Sequence, residues 1–231
     1  MDHSYRIVRN LVAASSLLLA APLAVAGTIT ASAHDFSTQS WGQAQICKAC
    51  HIPHNANSGT SAVLSPVLWN HTLSVATYTL YDTAWSSTLN ATAGQPGGTS
   101  KLCLSCHDGT VAVDSFGGST PVPTSIVASA NLGTDLRNDH PIGITYDGTL
   151  VTADGALRPT STAVTIGTGG TKTRVGTIAN NMLFADRLEC ASCHDVHNTF
   201  TVPVAYAGAS SNKLLKVVLT GSSLCLTCHD K

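Results

Sequence analysis

Charge is scarce in this 231-residue chain: Asp, Glu, Lys and Arg together make up 11% of it, and aromatic residues 5%. The near balance of 12 basic and 13 acidic residues leaves no basic surface of the kind that nucleic acid requires. With four Phe, three Trp and five Tyr, the chain lacks the large side chains from which a core of this size is ordinarily packed. Methionine occurs twice. Clear helical periodicity is also scarce. A long uncharged run occurs at Leu11–Ala26, preceded by Arg6 and Arg9 and ending in Ala24-Val25-Ala26. A spanning helix needs about 20 apolar residues. This run is shorter, has no stop-transfer charges and ends in a small-x-small pattern, so residues 1–26 read as a secretory signal peptide. Ala31-Ser32-Ala33 offers a second cleavage point. The expectation is export, to the cell surface or beyond and otherwise to the periplasm, with no membrane span after cleavage. Without Arg6, Arg9 and Asp2, the 12 basic and 13 acidic residues become ten and twelve.

Cysteine is what the chain has in quantity. Eight cysteines in an exported protein would ordinarily suggest disulfides, but their spacing argues otherwise. All fall in CxxC pairs, and a histidine follows each pair: Cys47-Lys-Ala-Cys50-His51, Cys103-Leu-Ser-Cys106-His107, Cys190-Ala-Ser-Cys193-His194 and Cys225-Leu-Thr-Cys228-His229. C-x-x-C-H is the attachment signature of c-type haem. Cysteines at i and i+3 share one face of a helical turn, where two sulfurs can reach the vinyl groups of one porphyrin, and a histidine at i+4 continues that face toward the iron. Chance placement of a histidine after all four pairs has a probability of roughly a few in a million at this composition. Zinc would leave four Cys2His clusters each a ligand short, and redox-active dithiols would leave the histidines unexplained. The reading is four covalent c-type haems, with His51, His107, His194 and His229 as proximal ligands.

Beyond the leader and the motifs stand five histidines: His34, His54, His71, His140 and His197. The methionine that survives cleavage, Met182, sits in Asn-Asn-Met-Leu-Phe and reads as an apolar contact. Five histidines for four distal positions make bis-histidine ligation the economical expectation, and a six-coordinate iron favours electron transfer over catalysis. His54, His71, His140 and His197 are the distal candidates, and His34 is either a fifth candidate or spare. His54 and His197 each follow a motif histidine by three residues, in CHIPHN and CHDVHN. His51 and His54 leave the same short segment, about 5 Å apart along a helical turn, so they cannot clamp opposite faces of one ring. His54 is therefore expected to serve a different iron.

The motifs also reveal a repeat. The first and third share C-x-[AS]-C-H-x-x-H-N; the second and fourth share C-L-[ST]-C-H-D. The order A, B, A, B divides the chain into a first two-haem unit at 27–120, a Thr/Gly-rich connecting region at 121–185 that contains Pro121, Pro123 and His140, and a second two-haem unit at 186–231. A Thr/Gly-rich run at Gly148–Thr177 would ordinarily be a linker. Its β-branched residues and those of Ile142–Tyr146, with Thr162–Ile166, instead suggest short strands. Lys213–Leu219 is expected to form a short helix. The fold class expected is mostly coil and turns with few short helices and β-hairpins, the haems forming the core.

These pieces together carry a resemblance. His34-Asp-Phe-Ser, CKACHIPHN, Leu68-Trp-Asn-His71, CLSCHDGT, His140-Pro-Ile-Gly, ECASCHDVH and the terminal CLTCHDK resemble the OmcE-type tetrahaem extracellular cytochromes of metal-reducing bacteria, within the doubled-CxxCH cytochromes. The resemblance covers most of the chain after the leader, and not its Thr/Gly-rich middle. It implies a non-enzymatic electron-transfer protein whose copies polymerise into an extracellular filament that passes electrons to redox partners or distant acceptors. It further implies that one haem takes its distal histidine from the neighbouring copy, and His54 is the matching position. The same motifs would also serve a monomeric periplasmic tetrahaem shuttle. A multihaem reductase would need an iron with an open site, against which the number of spare histidines argues.

Overall fold

The computed structural model describes residues 29–52, 54, 68–117, 124–170, 172–202 and 213–230. The expected leader, Pro121 and Pro123 lie outside them. Among the described residues the chain is mostly turns and extended coil, with a few short helices and two small antiparallel sheets. No helix among them is long and apolar enough to cross a membrane.

The longest helix, α1 (Gly98–His107), follows Gly97 and carries the second motif on its last turn. Asp108 ends it, its N–H bonded to the Leu104 carbonyl, and Gly109 turns the chain at φ +72°. A short strand β1 (Ile144–Thr145) leads into α2 (Gly148–Asp154). The Asp147 carboxylate accepts from the Leu150 N–H at 2.9 Å, an N-cap that satisfies one open donor of the first turn. Strands β2 (Ala163–Ile166) and β3 (Arg174–Thr177) form an antiparallel hairpin in the register Ala163↔Thr177 to Ile166↔Arg174. Thr177 then caps α3 (Ile178–Met182). Strand β4 (Arg187–Leu188) returns to pair with β1, Ile144 opposite Leu188, and runs directly into α4 (Cys190–Cys193). The last helix is α5 (Ser223–Cys228).

Among the described residues three small apolar clusters stand in place of a single core. The largest joins Ile144, Tyr146, Leu150, Ile166, Ile178, Met182, Leu183 and Leu188, with Leu224 and Cys228 packed against it. Met182 is thus an apolar core residue. Tyr78, Leu104 and Leu136 form the second cluster behind α1, and Val202 and Leu215 the third, against Cys193. Each cluster therefore backs a segment that bears a motif.

The middle of the chain is structured rather than a linker: residues 144–188 supply both sheets and the main cluster. The strand expected at Ile142–Tyr146 is confined to β1, and that at Thr162–Ile166 begins one residue later as β2. Lys213–Leu219 is not helical. Leu215 forms an isolated β-bridge with His194, and the Lys216 N–H donates to the Cys193 carbonyl at 2.9 Å. The segment's apolar pattern fits a helix turn, but the β-branched Val217 and Val218 and the pairing with the third motif hold it as a bridge followed by a bend. Helix starts instead at Ser223, after a 3-10 turn at Thr220–Ser222.

Candidate functional site: four CxxCH turns in a row

Each motif closes on a helical turn. In the first, the His51 N–H reaches the Cys47 carbonyl at 2.8 Å, although the segment is otherwise a turn. In the third and fourth, the His194 and His229 N–H groups reach Cys190 and Cys225 at 3.1 and 2.9 Å. The two motif types differ in setting. Types one and three occupy single turns, whereas types two and four end helices of ten and six residues. After their turns the backbone at His194 and His229 becomes extended, with ψ of 142° and 139°. Isolated bridges then pin these residues to Leu215 and Leu157, and His51 to Trp69.

The thiols are free. Burial pushes the Cys50 thiol up to about 11. Burial pushes Cys106 up to about 12, with Cys50 and Asp108 adding to it. Cys103 is raised by its hydrogen bond with Cys190, by burial, and by Cys106 and Cys50. Cys193 is raised by burial, with Cys190 and Cys225 adding, and Cys228 is raised to about 12 by burial and by Cys193. The first motif thus lies beside the second, the second beside the third, and the third beside the fourth. The link between second and third is the tightest, since α1 packs on α4 and their cysteines meet.

Histidine rings meet across this row. His51 and His197 lie nearly parallel with centroids 6.2 Å apart. His34 and His107 are 6.0 Å apart, and His140 and His229 are 6.4 Å apart. An imidazole nitrogen bonds a metal at about 2 Å and lies roughly 1.1 Å from its ring centroid. Two imidazoles on opposite sides of one ion therefore have centroids about 6 Å apart. All three pairs combine a motif histidine with one of the spare histidines. Their sequence separations are long, so packing rather than local spacing brings them together.

Several rings are also oriented by their second nitrogen. His107 Nδ1 bonds the Ala130 carbonyl at 2.8 Å, His194 Nδ1 the Lys213 carbonyl at 2.8 Å, and His140 Nδ1 the Pro141 carbonyl at 3.0 Å. A carbonyl fixed on Nδ1 makes that nitrogen the protonated one and leaves Nε2 with a lone pair for a metal. His34 is different: its Nδ1 is buried without a hydrogen-bond partner. Burial, with His107, His194 and His197 nearby, pushes its pKa down to about 4. It is therefore a neutral ligand-competent imidazole at neutral pH.

The remaining candidates are placed differently. His71 is buried; its Nδ1 bonds the Thr72 carbonyl at 2.8 Å and its Nε2 lies 3.4 Å from Cys106 Sγ. Its pKa is lowered by burial, against the pull of carbonyls and of Asp114. His54 is exposed and, among the described residues, no aromatic ring lies against it. His194 is also exposed, and it lines a cavity of about 230 Å3 with Cys190, Cys193, His140 and Glu189. His140 thus borders the third motif as well as facing the histidine of the fourth.

Four c-type haems fit this donor set. The thiols and the i+4 histidine share one turn in each motif, and three motif histidines each have a second imidazole with its ring centroid 6.0 to 6.4 Å away. Among the described residues no group of three or more His, Cys, Asp or Glu side chains is gathered as a metal cluster. Two groups with a structural part were not legible in the sequence. Asp108 accepts from Ser74 Oγ at 2.5 Å, Tyr78 OH at 2.6 Å, and the Thr110 N–H and hydroxyl at 2.8 Å each. Glu189, directly before Cys190, is buried. An acidic residue beside a motif was the available signal, but burial is what gives it weight. Compared with known proteins, the chain matches no family model and no curated protein.

Proposed function

We propose that this chain is an electron-transfer protein that holds four covalent c-type haems in a row. When bound, these groups supply one-electron chemistry at iron. The chain's own residues do the rest. Four cysteine pairs would hold the groups by thioether attachment, His51, His107, His194 and His229 would supply the motif imidazoles, and His197, His34 and His140 would supply the second imidazoles. Carbonyls of Ala130, Lys213 and Pro141 hold ring orientation. The three cross-motif imidazole pairs at 6.0 to 6.4 Å carry this reading.

Its test is the intact mass of the protein exported from a host with the haem-attachment machinery. Four haems per chain are expected, and three after Cys225→Ser with Cys228→Ser. A wild-type chain without covalent haem ends the reading.

The assembly we infer is an extracellular filament of identical copies. It rests on the resemblance and on exposed His54, a ligand-type side chain with no ring opposite it among the described residues. Exposed His194 is the motif histidine outside the three ring pairs, so a bridge from His54 of one copy to the third motif of the next would complete its ligation. Electron micrographs should show filaments for wild type and none for His54→Ala. A monodisperse single-chain species in the wild type would replace the filament by a periplasmic shuttle and leave the haem reading standing.

A further inference from the structure

A buried charge sits between the second and third motifs, and haem attachment gives it no task. The Glu189 side chain is 1% exposed. Its Oε2 accepts from the Ser100 N–H at 3.2 Å, and in return the Cys190 N–H donates to Ser100 Oγ at 2.9 Å. Ser100 is itself fully buried. This exchange clasps the first turn of α1 to the first turn of α4, one helical turn before Cys103 and next to Cys190. Gly98 makes room for it. At φ +49° a Cβ on this residue would stand 3.2 Å from the Glu189 carboxyl carbon.

The counter-charge is incomplete. Arg187 Nε lies 3.4 Å from Oε1, with its side chain 31% exposed and its Nη2 committed to the Gly143 carbonyl at 2.6 Å. Burying a carboxylate is costly even when it is paired. Glu189 is also the N-cap of α4, in a reciprocal box with Ser192, but an amide of the same shape could accept these bonds without that cost.

We propose that Glu189 is a positioning residue that registers the second and third motifs through Ser100, and that its charge lowers the reduction potential of the haems attached there. The inference rests on the haem reading above. Reduction adds one electron to an iron centre and removes one positive charge. A carboxylate fixed in a low-dielectric wall favours the more positive, oxidised form. Because Glu189 also lines the cavity beside Cys190, Cys193 and His194 and bonds Ser100 ahead of Cys103, its effect should fall on the haems of the second and third motifs, leaving the first and fourth.

The test is a spectroelectrochemical titration of the full-length holoprotein, after mass measurement shows four haems per chain. Glu189→Gln should raise two of the four midpoint potentials. Arg187→Gln, which leaves the carboxylate without its cation, should lower the same two. Ser100→Ala loosens the clasp without changing charge; it should lower the melting temperature and leave the potentials in place. Unmoved potentials in Glu189→Gln, or shifts of the same sign in the Glu189 and Arg187 variants, overturn the proposal. If Glu189→Gln does not accumulate, the sign in Arg187→Gln decides: a fall supports it, and no change or a rise overturns it. A wild-type chain lacking covalent haem overturns the haem reading and this inference together, and mass alone identifies that case.

Discussion

Replacing Asp108 with alanine should destabilise the protein by about 3 to 4 kcal/mol. The carboxylate is 3% exposed and gathers four hydrogen bonds, from Ser74 Oγ, Tyr78 OH and both donors of Thr110. Bonds to a charged group contribute about 1.5 to 3 kcal/mol each, but the four do not add. Ser74 Oγ lies 3.1 Å from Thr110 Oγ1 and 3.2 Å from Tyr78 OH, so the hydroxyls can re-pair among themselves. What stays unpaired is chiefly the Thr110 N–H and part of the Tyr78 demand, together with a small cavity. Tyr78→Phe alone should cost about 1 kcal/mol. The double variant should be more stable than the sum of the two losses implies, by about 1 kcal/mol or more. Urea unfolding followed by circular dichroism measures all three. Asp108→Ala within 1 kcal/mol of wild type, or strict additivity, would refute the shared network. Acid provides an independent check. Burial alone would raise the Asp108 pKa, but the bonds from Ser74, Tyr78 and Thr110 outweigh it and the net shift is downward. A carboxylate lowered in the folded state contributes fully above its unfolded pKa, about 3.9, and that contribution is lost as pH falls through the folded value. The acid-induced loss of stability below about pH 4 should therefore be shallower in Asp108→Ala.

Lys216 gives a prediction of the opposite sense. Burial pushes its ammonium down to about 8, against the pull of Asp195, and its Nζ donates to the Asn181 carbonyl at 3.2 Å. Between that value and the unfolded pKa of about 10.4 the unfolded chain binds the extra proton, so stability should rise with pH across the window. Lys216→Met should flatten this rise; an unchanged slope would show that Lys216 is not the group responsible. Tyr146 OH lies 2.6 Å from the Arg158 carbonyl and 3.2 Å from that of Cys228, tying the fourth motif to residues 146–158. Tyr146→Phe should cost about 1 kcal/mol and speed amide exchange at Arg158 and His229. Wild-type exchange there would mean that the motif is held by other contacts.

How much the sequence disclosed depended on the range of the interaction. The CxxCH spacing places two thiols and a histidine on one turn, and the i to i+4 bonds at all four motifs follow from that geometry. The β-branched run at Thr162–Ile166 is nearly coextensive with β2, because alternation over four residues is a local property. Lys213–Leu219 was misread as helix because its apolar pattern fits either state, and a partner distant in sequence, the third motif, selected the bridged one. His34 shows the same limit. Nothing around it distinguishes a spare surface histidine from the ring found against His107. His140 likewise meets His229 from far upstream in sequence.

The sequence by itself determined the chemistry on offer: four turns each bearing two thiols and an imidazole, five further imidazoles after the leader, and few aromatic side chains with which to pack one large core. Those are matters of residue type and of spacing within a single helical turn. Only the tertiary structure decided the order of the motifs in space, the pairings of His51 with His197, His34 with His107 and His140 with His229, and the burial of Asp108 and Glu189. Each joins segments separated by tens of residues, through contacts of three small apolar clusters and two short sheets, and no local pattern encodes which distant segment will supply the opposing face.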